Sequence, residues 1–250
     1  MDEQVHRLIH KVWDKFEDVP RSKRFLVAIS GIPGSGKTTL AAVVTQGLNA
    51  LHAQKSPGTH KDNPLAAFVP LDGYHLTRAQ LDAMPDPDSA HARRGAHFTF
   101  DGESFTMLVK KLREPLLPET YTIHAPSFDH ATKDPVANDI AIAPSVRIVV
   151  FEGNYLSLNK SPWKESAQLM DELWFVEVDF SVARRRLVSR HVKAGLAENE
   201  EDAGKRADEN DLVNGREILE NRMEVHEVIH SIDDSYWGPE TQNTGKEPNK

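Results

Sequence analysis

Val5, Leu8, Ile9, Val12, Trp13 and Phe16 recur at intervals of three and four, so the spacing predicts an amphipathic helix over residues 2–18 that packs one face on a core. The pattern then changes. Phe25 to Ile29 is an unbroken apolar run, read as a first strand, and it leads through a glycine-rich turn into the apolar stretch Leu40 to Val44 of a second helix. After a polar loop from Ala53 to Pro64, the run Leu65 to Leu71 reads as a second strand that ends at Asp72. Leu76 to Met84 is briefly helical until Pro85-Asp86-Pro87-Asp88 breaks it and opens a long polar segment reaching Asp101. Asp101 is placed to cap a helix running to about Arg113, and Tyr121-Thr122-Ile123 has strand character ahead of another loop. Val146 to Phe151 is a third clear strand, ending at Glu152, and Leu173 to Val178 is a fourth. Ser181 is the expected cap of a strongly basic helix containing Arg184, Arg185, Arg186 and Arg190. Beyond Gly195, a helix is predicted from about Asp208 to Ile229.

Strands that alternate with helices define an α/β chain: a mostly parallel central sheet covered on both faces, in three α/β/α layers, with ligands at the carboxyl ends of the strands. No internal repeat, low-complexity tract or linker divides it, so residues 1–237 read as one domain and 238–250 as a polar tail. Composition narrows the partners. A formal net charge of −8 argues against a general nucleic-acid coat. No apolar run approaches the ~18 residues needed to cross a bilayer, and Met1-Asp2-Glu3-Gln4 is too acidic for a leader, so the expectation is a cytoplasmic protein without membrane contact. The absence of cysteine excludes disulfides, thiolate zinc sites and thiol nucleophiles. None of the twelve histidines forms a pair with metal-site spacing.

The strongest chemistry lies between the first strand and second helix. Gly31-Ile32-Pro33-Gly34-Ser35-Gly36-Lys37-Thr38-Thr39 satisfies G-x-x-x-x-G-K-[ST] in its required strand–turn–helix setting. Gly31, Gly34 and Gly36 let backbone N–H groups turn onto phosphate oxygens, and the helix dipole favours that charge. Lys37 reaches the β/γ-phosphates and Thr38 offers a hydroxyl to Mg2+, so Gly31, Gly34, Ser35, Gly36, Lys37, Thr38 and Thr39 form the candidate ATP-contacting set. The second and third strands end in Asp72-Gly73-Tyr74-His75 and Glu152-Gly153-Asn154-Tyr155, so two carboxylates and Lys37 should face one crevice. Asp72 suits a proton acceptor for a substrate hydroxyl or a ligand to a magnesium-bound water. For Glu152 the order is reversed: metal contact first, a base second.

Arg186 and Arg190 lie one turn apart on one helix face and are the candidate phosphate-clamping pair; a solvated surface role is the alternative for each. Arg206 carries the same two readings. Arg94 can hold a substrate carboxylate or phosphate, with Arg93 as the competing choice. His75 and His130 can hydrogen-bond an acceptor or serve structural roles, and Tyr74 and Tyr155 either line its pocket or pack as half-buried aromatics.

The phosphate loop, Asp72-Gly73-Tyr74-His75-Leu76, Arg93-Arg94-Gly95, Phe100-Asp101, Glu152-Gly153-Asn154-Tyr155-Leu156 and the arginine-rich helix, in this order, resemble the phosphoribulokinase/uridine kinase superfamily over about residues 25–225. The longer segments Asp72 to Leu81, Ala90 to Ala96 and Ala125 to His130 are similar to a kinase-like branch of bacteria and fungi related to pantothenate and fructose kinases. The resemblance implies a P-loop NTPase fold with a helical lid near residues 181–213. It also implies transfer of the ATP γ-phosphate to a hydroxyl of a small metabolite, Asp72 as general base, and acceptor binding near Arg94. The Ala125 to Asp134 segment does not reproduce a uridine-kinase pocket, so sugars, pantothenate-like acids, glycerate and nucleosides stay open as acceptors, as do monomer and homodimer. A second class is an ATP hydrolase or nucleotide switch acting on a macromolecule. Its GTPase form is weakened by Asn159-Lys160-Ser161-Pro162, which lacks the Asp of a guanine-reading N-K-x-D.

Overall fold

Five strands, four of them largely apolar and the last a short edge strand, form one parallel sheet in a computed structural model that describes residues 2–56 and 63–232. The strands β1 (Phe25–Gly31), β2 (Ala66–Pro70), β5 (Ile148–Glu152), β6 (Glu172–Glu177) and β7 (Glu227–His230) stand in the order β2-β5-β1-β6-β7. All seven residues of β1 are buried, as expected for a central parallel strand covered on both faces. The chain leaves β1 for the edge strand β2, returns to β5 beside β1, and then builds β6 and β7 on the opposite side. The order therefore reverses at β1, where α/β sheets open their ligand crevice.

One face of the sheet is covered by α1 (Asp2–Glu17) and α2 (Lys37–Lys55), packed through Leu8, Val12, Leu40, Val44 and Leu48 on Val27, Ile29 and Val150. Each fully buried Leu or Val side chain contributes about 1.5–3 kcal/mol. Charge fastens α1 as well. Lys11 and Lys15 pair with the fully buried Glu172 of β6, while Arg7 and Lys11 reach Glu227 at the start of β7 at 2.7 and 2.8 Å. The opposite face carries α5 (Gly102–Leu112), α6 (Trp163–Ala167), α7 (Phe180–Lys193) and α9 (Leu212–Glu220), through Phe105, Leu108, Trp163, Leu187 and Ile218. Between α7 and α9 lie α8 (Glu200–Arg206) and a π-helical turn at Ala207–Asp211. No helix among the described residues is long and apolar enough to cross a membrane.

Several boundaries differ from the sequence expectation. The polar stretch after Met84 contains the helix α4 (Pro87–Ala92), capped by Asp86 and helped by proline in its first turn, after the one-turn helix α3 (Arg78–Asp82). The stretch taken for a loop after Ile123 is an antiparallel hairpin, β3 (Ile123–Asp129) with β4 (Asp134–Ile142), whose turn is closed by the Asp129 carboxylate accepting from Ala131 N and Thr132 Oγ1. Asp179, not Ser181, caps α7, because its carboxylate accepts from the Ser181 amide at 2.7 Å. The long helix expected to reach Ile229 stops at Glu220, and Glu227–His230 joins the sheet as β7. A four-residue edge strand is too short for its alternation to be told from a helix end. The predicted tail from Gly238 lies outside the described residues.

Candidate active site

The loop after β1 folds into a cradle because two glycines take a left-handed backbone. Gly34 has φ +80° and Gly36 φ +88°, angles at which side chains other than glycine are strained. Gly36 is also the N-cap of α2, so the helix begins at Lys37 with its first amides directed toward the cradle. Lys37 is buried, its Nζ 3.4 Å from the Ile32 carbonyl and 3.8 Å from Glu152 Oε1. Thr38 donates from Oγ1 to the same Glu152 oxygen at 3.1 Å. Strand pairing sets this geometry: Glu152, the last residue of β5, stands in register with Ile29, two residues before Gly31.

Burial dominates the electrostatics here. It pushes the Glu152 carboxyl up to about 7, with Asp72 raising it further while Lys37 and the Thr38 hydroxyl pull the other way. Burial also lowers the Lys37 ammonium, against the attraction of Glu152. Asp72 lies on a 3₁₀ turn, Leu71–Tyr74, two residues beyond the end of β2, and its charge acts on both Lys37 and Glu152. The side chain is 52% exposed, open to solvent. The turn is pressed against the hairpin so closely that a Cβ on Gly73 would lie 2.2 Å from the Pro126 carbonyl oxygen.

His75 follows at the end of this turn. Its Nδ1–H donates to the Asp72 carbonyl at 2.9 Å, which fixes the tautomer and leaves Nε2 as the acceptor nitrogen. The ring lies between Phe100 and Phe128, with centroids at 4.0 and 5.0 Å, and burial lowers its pKa, which favours the neutral imidazole. His130 is exposed beside the hairpin turn. Arg94 is held by the Leu76 carbonyl at 2.9 Å and Asp134 at 3.2 Å, with its guanidinium over Phe128; its buried Nε has no partner among the described residues. An open groove of about 570 Å³ runs between the hairpin and α5, lined by Tyr74 and His75 among others.

Other expectations are redirected. The Tyr74 ring is buried edge-on against Phe105, so it serves the core as well as the groove. Tyr155 is fully buried and donates from its hydroxyl to the Gly95 carbonyl at 2.6 Å, which makes it a support of the Arg93-Arg94-Gly95 loop and not a pocket wall. Arg186 and Arg190 are not equivalent. Arg186 donates to the Gly34 carbonyl at 3.2 Å and to Ser231 Oγ at 2.9 Å, tying α7 to the phosphate loop, whereas Arg190 is exposed and its charge acts on Lys37 and Glu152. Arg206 lies on α8 with its Nε buried and unpartnered among the described residues. Arg93 donates to Asn210 and Asn214 at 3.1 and 2.7 Å. These two asparagines escaped the sequence reading, although two amides four residues apart on one helix face were its visible signal.

A phosphate cradle, a lysine, a hydroxyl–carboxylate pair and a second carboxylate at neighbouring strand ends define a P-loop phosphotransferase. Residues 26–195 match the Phosphoribulokinase / Uridine kinase family, and the chain belongs to that family. It is 54% identical over 159 residues to the ATP-dependent kinase-like protein notR' of Aspergillus versicolor, covering 64% of this chain and 92% of that one. It is 33% identical over 211 residues to the ATP-dependent kinase YFH7 of Vanderwaltozyma polyspora, covering 71% of this chain and 59% of the relative. The crystal structure of YFH7 from Saccharomyces cerevisiae superposes with a TM-score of 0.79 at 24% identity, over 92% of this chain and 99% of that one, a likeness of fold. The protein is therefore an ATP-dependent kinase of this family.

Proposed function

We propose that the protein transfers the γ-phosphate of ATP to a hydroxyl group of a small metabolite, with Asp72 as the proton acceptor. The observation that supports this reading is the placement of a half-exposed Asp72 within electrostatic reach of Lys37 and Glu152, beside a neutral His75. The acceptor oxygen forms the new bond to the γ-phosphorus, the bond from that phosphorus to the β,γ-bridging oxygen breaks, ADP leaves, and the hydroxyl proton passes to Asp72. His75 Nε2 accepts a hydrogen bond from the acceptor and orients it. Lys37 and the loop amides neutralise charge on the transferred group, and Arg190 adds to this from α7.

The residues present suit Mg2+: the Thr38 hydroxyl and Glu152 carboxylate are hard oxygen donors 3.1 Å apart, and a buried carboxyl with a raised pKa favours replacing its proton by a cation. Bound there with the phosphates, the ion would neutralise charge on the β- and γ-oxygens. The segment 181–213 acts as the lid that excludes competing water. ATP-to-ADP turnover across sugars, sugar acids, vitamins and nucleosides, run beside Asp72→Asn, tests the reading. An acceptor-stimulated rate that drops ~10²–10⁴-fold in the variant, with ATP affinity retained, is expected. An unchanged rate would reject Asp72 as the base, and turnover indifferent to every small molecule would reject a metabolite acceptor.

A further inference from the structure

Asn210 and Asn214 are 5% and 2% exposed, and a buried amide left without partners costs about 1–3 kcal/mol. Here both find partners. Asn210 accepts from Arg93 Nε at 3.1 Å and donates from Nδ2 to the Arg94 carbonyl at 3.0 Å; Asn214 accepts from Arg93 Nη2 at 2.7 Å and braces Asn210 at 3.3 Å. Both asparagines thus grip the Arg93–Gly95 loop, whose other side is held by Tyr155 and whose Arg94 lies against the aromatic wall beside His75.

The same turn has a second grip. Asp211, the next residue, takes a 2.8 Å contact from His191 Nε2 on α7, and Arg184 of α7 forks onto Asp208 at 2.7 and 2.8 Å. Helix α7 in turn reaches the phosphate loop through Arg186 and the Gly34 carbonyl. Successive side chains of a helix leave about 100° apart, and this turn sends Asn210 and Asp211 to different neighbours. In this way Asn210 serves the acceptor loop while Asp211 serves α7. The connection from phosphate loop to acceptor loop is continuous: Gly34, Arg186, α7, His191, Asp211, Asn210, Arg94.

We propose that Asn210 and Asn214 are positioning residues that couple the two substrate sites, so that filling the nucleotide site orders the Arg93–Gly95 loop for the acceptor. This rests on the two-substrate kinase reading, and by linkage the acceptor would tighten nucleotide binding by the same factor. The test is hydrogen exchange on the full chain, with and without Mg2+ and a non-hydrolysable ATP analogue. In the wild type the analogue should slow exchange in the phosphate loop, and should also slow it about fivefold or more at the hydrogen-bonded amides of Arg94, Ala96 and Thr99. Asn210→Asp keeps an oxygen for Arg93 but loses the donor to the Arg94 carbonyl. Phosphate-loop slowing should persist in it while the remote slowing disappears, and Asn214→Ala should lose part of it. A purely structural asparagine would change basal exchange without changing the nucleotide-induced difference. Remote amides indifferent to nucleotide in the wild type, or equally slowed in Asn210→Asp, would overturn the coupling. No slowing in the phosphate loop itself would overturn the nucleotide-site reading and the coupling with it.

Discussion

On the phosphate side of the crevice the working parts are contiguous: Gly31 to Thr38 is eight residues, shaped by its own backbone and completed by the adjacent strand end at Glu152. The side we propose for the acceptor is assembled from distant segments. Arg93 and Asn214 are 121 positions apart, Tyr155 and Gly95 are 60, and Arg94 and Asp134 are 40. Main-chain amides presented by a fixed loop tolerate little variation in what they hold, which is a phosphate. Side chains brought together over long separations can be exchanged one at a time while the frame stays intact. On the proposed assignment, this difference lets one fold keep its phosphoryl donor and change its acceptor.

Substitutions on the two sides should therefore fail differently. Lys37→Ala is expected to have the largest combined effect on kcat/KM, because a ~10²–10³-fold loss of turnover adds to weakened ATP binding, measured as ADP release and by nucleotide titration. That contrasts with Asp72→Asn, where affinity for ATP survives; equal loss of ATP binding in both would break the division. Next comes Glu152. Its folded pKa lies above the ordinary 4.5, so it favours folding while protonated, and that contribution declines from pH about 4.5, where the unfolded carboxyl ionises, until it is gone above about 7. Without nucleotide, the wild type should lose stability relative to Glu152→Gln over this window, by a few kcal/mol at most, read as melting temperature against pH. Parallel profiles would show that burial is not what holds the proton. The smallest effect belongs to Tyr155→Phe, which leaves the Gly95 carbonyl without its partner: about 1–3 kcal/mol of stability by urea unfolding, with KM rising for the acceptor and not for ATP. A matching rise for ATP would place Tyr155 in both halves.

The same division explains what could be read from the chain. The strands with unbroken apolar runs, the phosphate loop, and the positions of Asp72 and Glu152 at strand ends were legible, since local pattern determines each. The Ile123–Ile142 hairpin and the β7 strand were not, because partly exposed or short strands lack a continuous apolar signature. Nor were the separate fates of Arg93 and Arg94. Adjacent residues of one type differ only in what the fold brings to them: Asn210 and Asn214 for one, Leu76, Asp134 and Phe128 for the other.

The ion pairs of Arg7 and Lys11 with Glu227 place an early helix beside the last described strand. A fold joined in this way is close to a ring: a link between α1 and β7, with an opening cut elsewhere, would preserve every strand pairing while changing the order in which they are made. In this protein, a cut at the exposed hairpin turn near Ala131, away from the phosphate loop, is the rearrangement that such adjacency permits.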